Sequence, residues 1–342
     1  MPRPSTPILI LRRILAAFPS VLGVIILTFI LTRALPGDPA AYFAGPAASQ
    51  EAIDQIRETL GLNRSLPEQF FIYVGELLRG DLGSSLTTGQ TVLSDLLTRL
   101  PASLELTFAG LLFSLTLAIP LGILAATRPN SWIDHTVRVI ATAGVSLPTF
   151  FTGLLLIYVL YFLLGIVPAP LGRLDILYSA PPPVTGLYLI DSLLAGDLEL
   201  FWAALSQLIL PAVTLGLFAL APLARVTRAA MLAVLSSDFI RTAKASGLPS
   251  TTVLFSYAFR NALLPIMTTL GVVFSFLLGS NVLVEKVFSW PGIGSYAVSA
   301  LVASDYAAVQ GFVLTMALLY VGLNLLIDLL YIAIDPRAGV ES

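Results

Sequence analysis

The 342 residues contain no cysteine and a single histidine, His135. That excludes disulfides, thiolate nucleophiles, thiolate metal sites and any site built from several histidines of this chain. Charge is scarce as well: 11% of the residues are Asp, Glu, Lys or Arg, against roughly 25% in an ordinary soluble domain. With 18 Lys+Arg and 20 Asp+Glu the formal net charge is -2, so no basic excess points to nucleic acid as a partner. The common catalytic constellations are missing too. Neither Lys244 nor Lys286, the two lysines, follows the glycine pattern of a phosphate loop, and there is no GxSxG and no HExxH. An enzyme is therefore not expected, nor a metal or cofactor held by this chain.

What the chain has is apolar length. Hydrophobic residues make up 57% of it and the mean hydropathy is +0.91, which points to one polytopic membrane bundle rather than two soluble domains. Crossing roughly 30 Å of hydrocarbon takes about 20 helical residues, with the backbone hydrogen-bonded to itself. Six runs meet that demand: 14–32, 106–127, 139–163, 204–224, 262–284 and 308–334. The first follows Arg12 and Arg13 and so has the outline of a signal peptide. It is long for one, and Thr32, Arg33 and Ala34 do not form a small-x-small cleavage site, so it is read as an uncleaved span.

With the N-terminus in the cytoplasm, the inner side carries Arg3, Arg12, Arg13, Arg128, Arg138, Arg225, Arg228, Arg241, Lys244, Arg260 and Arg337. The two shorter outer loops carry only Arg173 and Lys286. This bias predicts both termini inside, and the first outer segment, about 70 residues long, is largely exempt from the rule.

The expected fold class is an all-α membrane protein with six transmembrane helices. It divides into an N-terminal tail and first span (1–32), a helical extracytoplasmic segment (33–103) and a core of five spans (104–342). In the outer segment Ile53, Ile56 and Leu60 keep helical spacing ahead of Gly61, placed as a C-terminal cap. A second helix starts at Ser65, with Pro67 in its first turn and Glu68 in the capping-box position, and ends near Gly80. A third, carrying Val92, Leu93, Leu96, Leu97 and Leu100, is expected to stop before Pro101. The second outer segment, 165–202, holds Pro168, Pro170, Pro181, Pro182 and Pro183 and reads as an extended loop with little helix.

One charge, Asp328, falls inside the six runs, where insertion scales put its cost at about 2.5–3.5 kcal/mol. Tyr320, Asn324 and Asp328 recur every four residues and share a face that must meet protein or water. A proton or cation site is one reading. A hydrogen-bonded seam between helices is preferred, because a proton-coupled carrier ordinarily has more than one buried ionisable group. His135, beside Asp134 in the short inner loop, reads as a solvated histidine.

Between the fourth and fifth spans, at about 225–261, the inner loop is too ordered to be a linker. SDFIRTAKASGLPS reads as a short helix, with Ser236 or Ser237 as its cap and Asp238 at its positive end. Gly247 fits the left-handed position past its C-terminus and Pro249 prevents continuation. Ile240, Ala243 and Gly247 share one side, with Arg241 and Lys244 as a neighbouring cationic edge. A second helical stretch begins near Ser250 and leads through Arg260 and Asn261 into the fifth span. By pattern alone this is either a docking knob or an interfacial elbow that orders the loop.

DFIRTAKASGL followed by RNALLPIMTTLG resembles the cytoplasmic-loop signature of ABC importer permeases, in particular the dipeptide, oligopeptide and nickel branch. That signature opens with Glu-Ala-Ala, continues to a glycine and ends apolar-x-Leu-Pro. Here Arg241, Thr242 and Ala243 take the first places, Gly247 the glycine, and Leu264 and Pro265 the ending. LPGDP at 35–39, LLRGDLGSS at 77–85, RLPASLELTFAG at 99–110, VSLPTF at 145–150, VFSWPGIGSYAV at 287–298 and IDPR at 334–337 resemble further family strings in the same order.

The resemblance implies a type I ABC importer permease of the bacterial inner membrane, a non-catalytic subunit for di- or oligopeptides, or for a nickel chelate, glutathione or an opine-like solute. An extracytoplasmic substrate-binding protein would deliver the solute, and two separate ATP-binding subunits would hold ATP and Mg. These would dock on the loop helix through Asp238, Ile240, Arg241, Thr242, Ala243, Lys244 and Gly247, with Ala243 and Gly247 allowing close approach and Arg241 and Lys244 meeting carboxylates. A second homologous permease is implied, in a heterodimer rather than a homodimer. A proton-coupled secondary carrier, working without ATPases, is the competing class.

Overall fold

The computed structural model describes residues 6–34, 38–45 and 47–334. Leu35, Pro36 and Gly37 of the LPGDP string, the IDPR string beyond Ile334, and the side chain of Asp328 lie outside the described residues. Within them the regular elements are helices, with one isolated bridge between Ser84 and Thr91. After α1 (Thr6–Ala34) come three short helices, α2 (Pro39–Ala44), α3 (Gln50–Thr59) and α4 (Leu66–Leu78), then the long α5 (Val92–Thr127). Next are α6 (Trp132–Ser146), α7 (Thr149–Leu156, continued as a π-helix over Ile157–Leu163), α8 (Tyr188–Leu194) and α9 (Leu198–Leu235). The last five are α10 (Asp238–Ala245), α11 (Ser250–Thr252, running through the π-helical Val253–Phe259), α12 (Arg260–Val287), α13 (Ile293–Val302) and α14 (Tyr306–Ile334).

By length and composition, four described stretches are able to cross a membrane: Val92–Thr127, Leu198–Leu235, Ser250–Val287 and Tyr306–Ile327. The apolar stretches Phe18–Leu31, Thr149–Leu163 and Ile293–Val302 are shorter. The run 139–163, expected as one helix, is broken between α6 and α7. Pro148 lacks an N–H and crowds the residue before it, and Leu147 is extended at φ -111, ψ 142.

Of the described residues, those up to 101 together with 291–322 form one compact unit, and 102–290 with 323–334 a second. The core of the first is Val92, Leu96, Ile293, Tyr296, Ala300 and Ala308. Asp305 starts α14 there as a buried acceptor: it takes hydrogen bonds from Ser85 Oγ at 2.7 Å, Thr87 N at 3.1 Å, Thr87 Oγ1 at 2.9 Å and Ala308 N at 3.2 Å. The loop holding Ser85 and Thr87 is thereby tied to the end of a helix more than 200 residues away in sequence. α3 ends as expected, with Gly61 at φ +66. The capping box at Ser65 does not form, since Ser65 makes no cap bond and Glu68 pairs instead with Arg64 at 3.3 Å.

The third helix expected within 33–103 does not stop before Pro101: α5 runs through it. Proline costs a helix one hydrogen bond and a local kink, but Val92, Leu96, Ala102 and Leu106 are all buried, and that packing on either side of Pro101 holds the helix together. In the second unit α5 and α9 approach nearly backbone to backbone. A Cβ added at Gly216 would lie 2.7 Å from the Gly110 carbonyl, and one at Gly122 would lie 2.6 Å from Thr227 Cβ. Small residues are what allow such an approach where lipid supplies no hydrophobic drive.

The segment 165–202 is more fixed than its prolines suggest. Arg173, 7% exposed, donates to Glu105 Oε2 at 2.6 Å and to the Gly186 carbonyl at 2.8 Å, and lies 3.4 Å from the Tyr188 ring centroid. Asp191 of α8 gathers the amides of Val184, Thr185 and Gly186 and the Thr185 hydroxyl. Burial pushes its carboxyl up in pKa, but those four donors outweigh burial and hold it below the ordinary carboxylate value.

Candidate coupling site

α10 is short and defined at both ends. Ser237 occupies the N-cap in an extended conformation, yet its hydroxyl donates back to the Val234 carbonyl at 2.5 Å rather than accepting from α10. The helix end closes by two bonds: Gly247 N donates to Lys244 O at 3.0 Å and Leu248 N to Ala243 O at 3.4 Å. That pattern places Gly247 in the left-handed region, at φ +74, where a side chain is strained. A Cβ there would meet nothing within 4 Å, so the requirement is conformational and not one of space.

The two faces of α10 differ sharply. Ile240 is fully buried and Ala243 nearly so, packed with Ile123 and Ala126 of α5, Met231 of α9, Val253 and Ala258 of the π-helical turn, and Ala262 and Ile266 of α12. Asp238, Phe239, Arg241, Thr242, Lys244 and Gly247 are exposed. The expectation that Ala243 gives a partner close approach is thus corrected. Its small side chain lets α10 sit on its own chain, while the charged edge and Phe239 face away. Phe239 is an apolar group on that outward face which pattern reading passed over. Among the described residues Arg241 pairs only with Asp238, at 3.3 Å between two strongly exposed side chains, an arrangement of small energetic value.

A second connection lies one helix away. Asp134, with no exposed surface, takes Arg228 Nε and Nη2 on its two oxygens at 2.6 Å each, and the amide of Asn130 at 3.0 Å. The paired hydrogen bonds from Arg228 hold its carboxyl well below the usual value, at about 2, against the opposing effect of burial. This ties the first turn of α6 to α9 close to the end of α9 that Met231 and α10 share.

Residues 118–340 match the family described as the binding-protein-dependent transport system inner membrane component, and residues 8–107 match its N-terminal region. The chain belongs to this family. It is a permease subunit of an ABC importer, embedded in the bacterial inner membrane by several spans. The permease is 48% identical over 319 residues to a probable D,D-dipeptide transport system permease protein of Escherichia coli, covering 93% of this chain and 94% of that one. It is 43% identical over 333 residues to a di/tripeptide transport system permease protein of Pseudomonas aeruginosa, covering 96% and 97%. It is 36% identical over 327 residues to a glutathione transport system permease protein of Escherichia coli, again covering 96% and 97%.

Within the permease the remaining sequence candidates separate. Tyr320 and Asn324 lie four apart on α14, but Tyr320 is 54% exposed, and the Asp328 side chain that would complete their row is not among the described ones. His135 is exposed, as expected of a loop histidine, although it sits on the first turn of α6. Glu285 was missed. It is fully buried one residue past the predicted end of the fifth span, where Ser103 Oγ donates to it at 2.5 Å. One turn away Asn281 Nδ2 donates to Ser103 O and Thr107 Oγ1, both at 3.1 Å. Trp290 Nε1 donates to Ala102 O at 2.8 Å. These bonds join α12 and the turn that follows it to α5, away from α10. A one-residue extension of the apolar run, with Asn281 a turn before it, was the signal available in sequence.

Proposed function

We propose that this permease carries di- and tripeptides, or closely similar short peptides, handed over by an extracytoplasmic binding protein. Two separate ATP-binding subunits hydrolyse the ATP and drive the permease through α10. The substrate class rests on relatives whose names specify dipeptides and di/tripeptides and which align over nearly their whole length. The Lys/Arg bias puts both termini and α10 in the cytoplasm and residues 33–103 outside, ahead of a core at 104–342. A second, homologous permease completes the pathway as a heterodimer, and Asp328 serves a structural seam.

The observation that carries the coupling role is the double-sided build of α10. Ile240 and Ala243 lock it to the ends of α5, α9 and α12, so a partner that grips Asp238, Phe239, Arg241, Thr242 and Lys244 moves three long helices at once. Closure of ATP-binding subunits then acts on packed helices as a lever, and population shifts between inward- and outward-open states follow from that differential grip.

The test is ATP-dependent dialanine uptake by the complete transporter in proteoliposomes. Arg241→Glu combined with Lys244→Glu reverses the exposed charges and is expected to lower uptake and peptide-stimulated ATP hydrolysis about tenfold or more, as loss of charge-assisted contacts implies. The variant should remain in the membrane in normal amount. Normal uptake with normal stimulation would sink the coupling assignment.

A further inference from the structure

We infer that α6 carries a receptor for the carboxylate of the transported peptide, built from Arg138 and His135 at one end of a polar helix face. This rests on the peptide-permease reading above. An open surface hollow of about 480 Å³ lies against this face and is lined by His135, Arg138, Val139, Thr142 and Ser146, all of them exposed. Arg138, Thr142 and Ser146 follow one another at intervals of four residues and His135 precedes Arg138 by three, so the four stack on one side of the helix. A face turned to acyl chains would be apolar; four of these five side chains are not.

The hydrogen bonds fix what each group offers. Arg138 Nη2 lies 2.7 Å from His135 Nδ1. A guanidinium only donates, so Nδ1 accepts and the imidazole proton is on Nε2, which is then a donor. Thr142 Oγ1 donates to the Arg138 carbonyl at 2.8 Å and Ser146 Oγ to the Thr142 carbonyl at 2.7 Å. Their hydrogens are committed to the backbone and their lone pairs remain as acceptors.

Charge balance leaves the cationic end unneutralised. The acidic group nearest Arg138 is Asp134, 3.7 Å from its Nε, but both oxygens of Asp134 already hold Arg228 at 2.6 Å. One carboxylate between two guanidiniums leaves a surplus positive charge, and it resides on Arg138, whose side chain is 47% exposed. Anion-directed donors therefore stand at one end, with acceptors about 6 Å and about 12 Å along the axis at Thr142 and Ser146. An extended dipeptide spans about 7 Å. Its carboxylate fits Arg138 and His135 while its ammonium reaches the Thr142 oxygen. The phosphate of an anionic lipid would be drawn to the same cations, but its acyl chains would then lie on the hydroxyl oxygens of Thr142 and Ser146.

The experiment uses the complete transporter in proteoliposomes with radiolabelled dialanine and dialanine amide. Wild type is expected to take up dialanine on ATP and to prefer it over the amide. Arg138→Gln should lower dialanine uptake about tenfold, the worth of one charge-assisted hydrogen bond, and shrink the acid-to-amide preference, while Arg138→Lys keeps most of both. The binding protein is identical throughout, so a changed ratio belongs to the permease. An unchanged ratio in Arg138→Gln overturns the inference alone; absent wild-type uptake overturns the peptide reading and this inference with it. Liposomes of phosphatidylcholine, with and without phosphatidylglycerol, should give the same loss. A loss seen only with the anionic lipid assigns the hollow to a headgroup and also overturns it. Should Arg138→Gln fail to assemble, Thr142→Val takes its place, with dialanine uptake expected to fall severalfold and wild-type behaviour counting against the site.

Discussion

At Gly247 a single dihedral angle decides the outcome of substitution. With φ at +74 and open space around the missing Cβ, Gly247→Ala meets strain of about 1–2 kcal/mol and no clash. Gly247→Asn, more tolerant of left-handed backbone, should cost less. Gly247→Asp adds a negative charge at the end of the exposed face of α10 and is expected to abolish uptake while leaving the permease in the membrane, as uptake assays and immunoblots of the same vesicles would report. The glycine was legible in the sequence from Pro249 two residues on and Asp238 at the other end of the helix. The inward turn of Ala243 was not legible, because which side of an eight-residue helix faces its own chain depends on what packs there.

Asp134 makes the same point for charge. In sequence it is an acidic residue in a short loop beside a histidine; its partner Arg228 lies 94 residues away. The folded pKa is depressed from 3.8 to about 2. Its contribution to stability is therefore fully present above the unfolded value and is lost as pH falls through the folded one. Asp134→Asn should lower the thermal midpoint of the purified permease by the same amount at pH 7.5 and at pH 5, with the difference shrinking only below about pH 4. A difference that disappears between pH 7.5 and 5 would contradict the depressed pKa.

Among elements, proline gave opposite results at two sites. Pro148 ends α6, whereas α5 passes through Pro101 unbroken. The local rule is the same at both, and side-chain burial on either side of Pro101 separates them. Glycines in the long helices were visible as composition only. Their use appears once α5 and α9 are paired, with Gly216 against Gly110 and Phe113 and Gly122 against Thr227. Gly216→Val must push these two helices apart. Overpacking of this kind costs about 1–3 kcal/mol, and the expected result is a lower thermal midpoint in detergent and reduced assembly. Gly23 and Gly279, with nothing within 4 Å of an added Cβ, should tolerate the same change.

For the whole molecule, the six apolar runs hold a single Asp, Glu, Lys or Arg, Asp328, and the function proposed above draws its energy from ATP-binding subunits. Uptake by the complete transporter is expected to persist with a protonophore while ATP is held constant. Asp328→Asn should reduce stability of the complex without creating dependence on the proton gradient. Collapse of uptake under protonophore would favour the secondary-carrier class instead.

The sequence by itself determined that the chain is an all-helical membrane protein and that the segment between the fourth and fifth apolar runs, at about 225–261, is structured. Hydrophobic run length and local caps act over a few residues, so they survive in a linear reading. Tertiary structure alone decided that α10 is fastened by Ile240 and Ala243 to three other helices, that Asp134 answers Arg228, and that Glu285 is buried. Each depends on side chains brought together from distant parts of the chain, and desolvation and pairing energies exist only after that meeting.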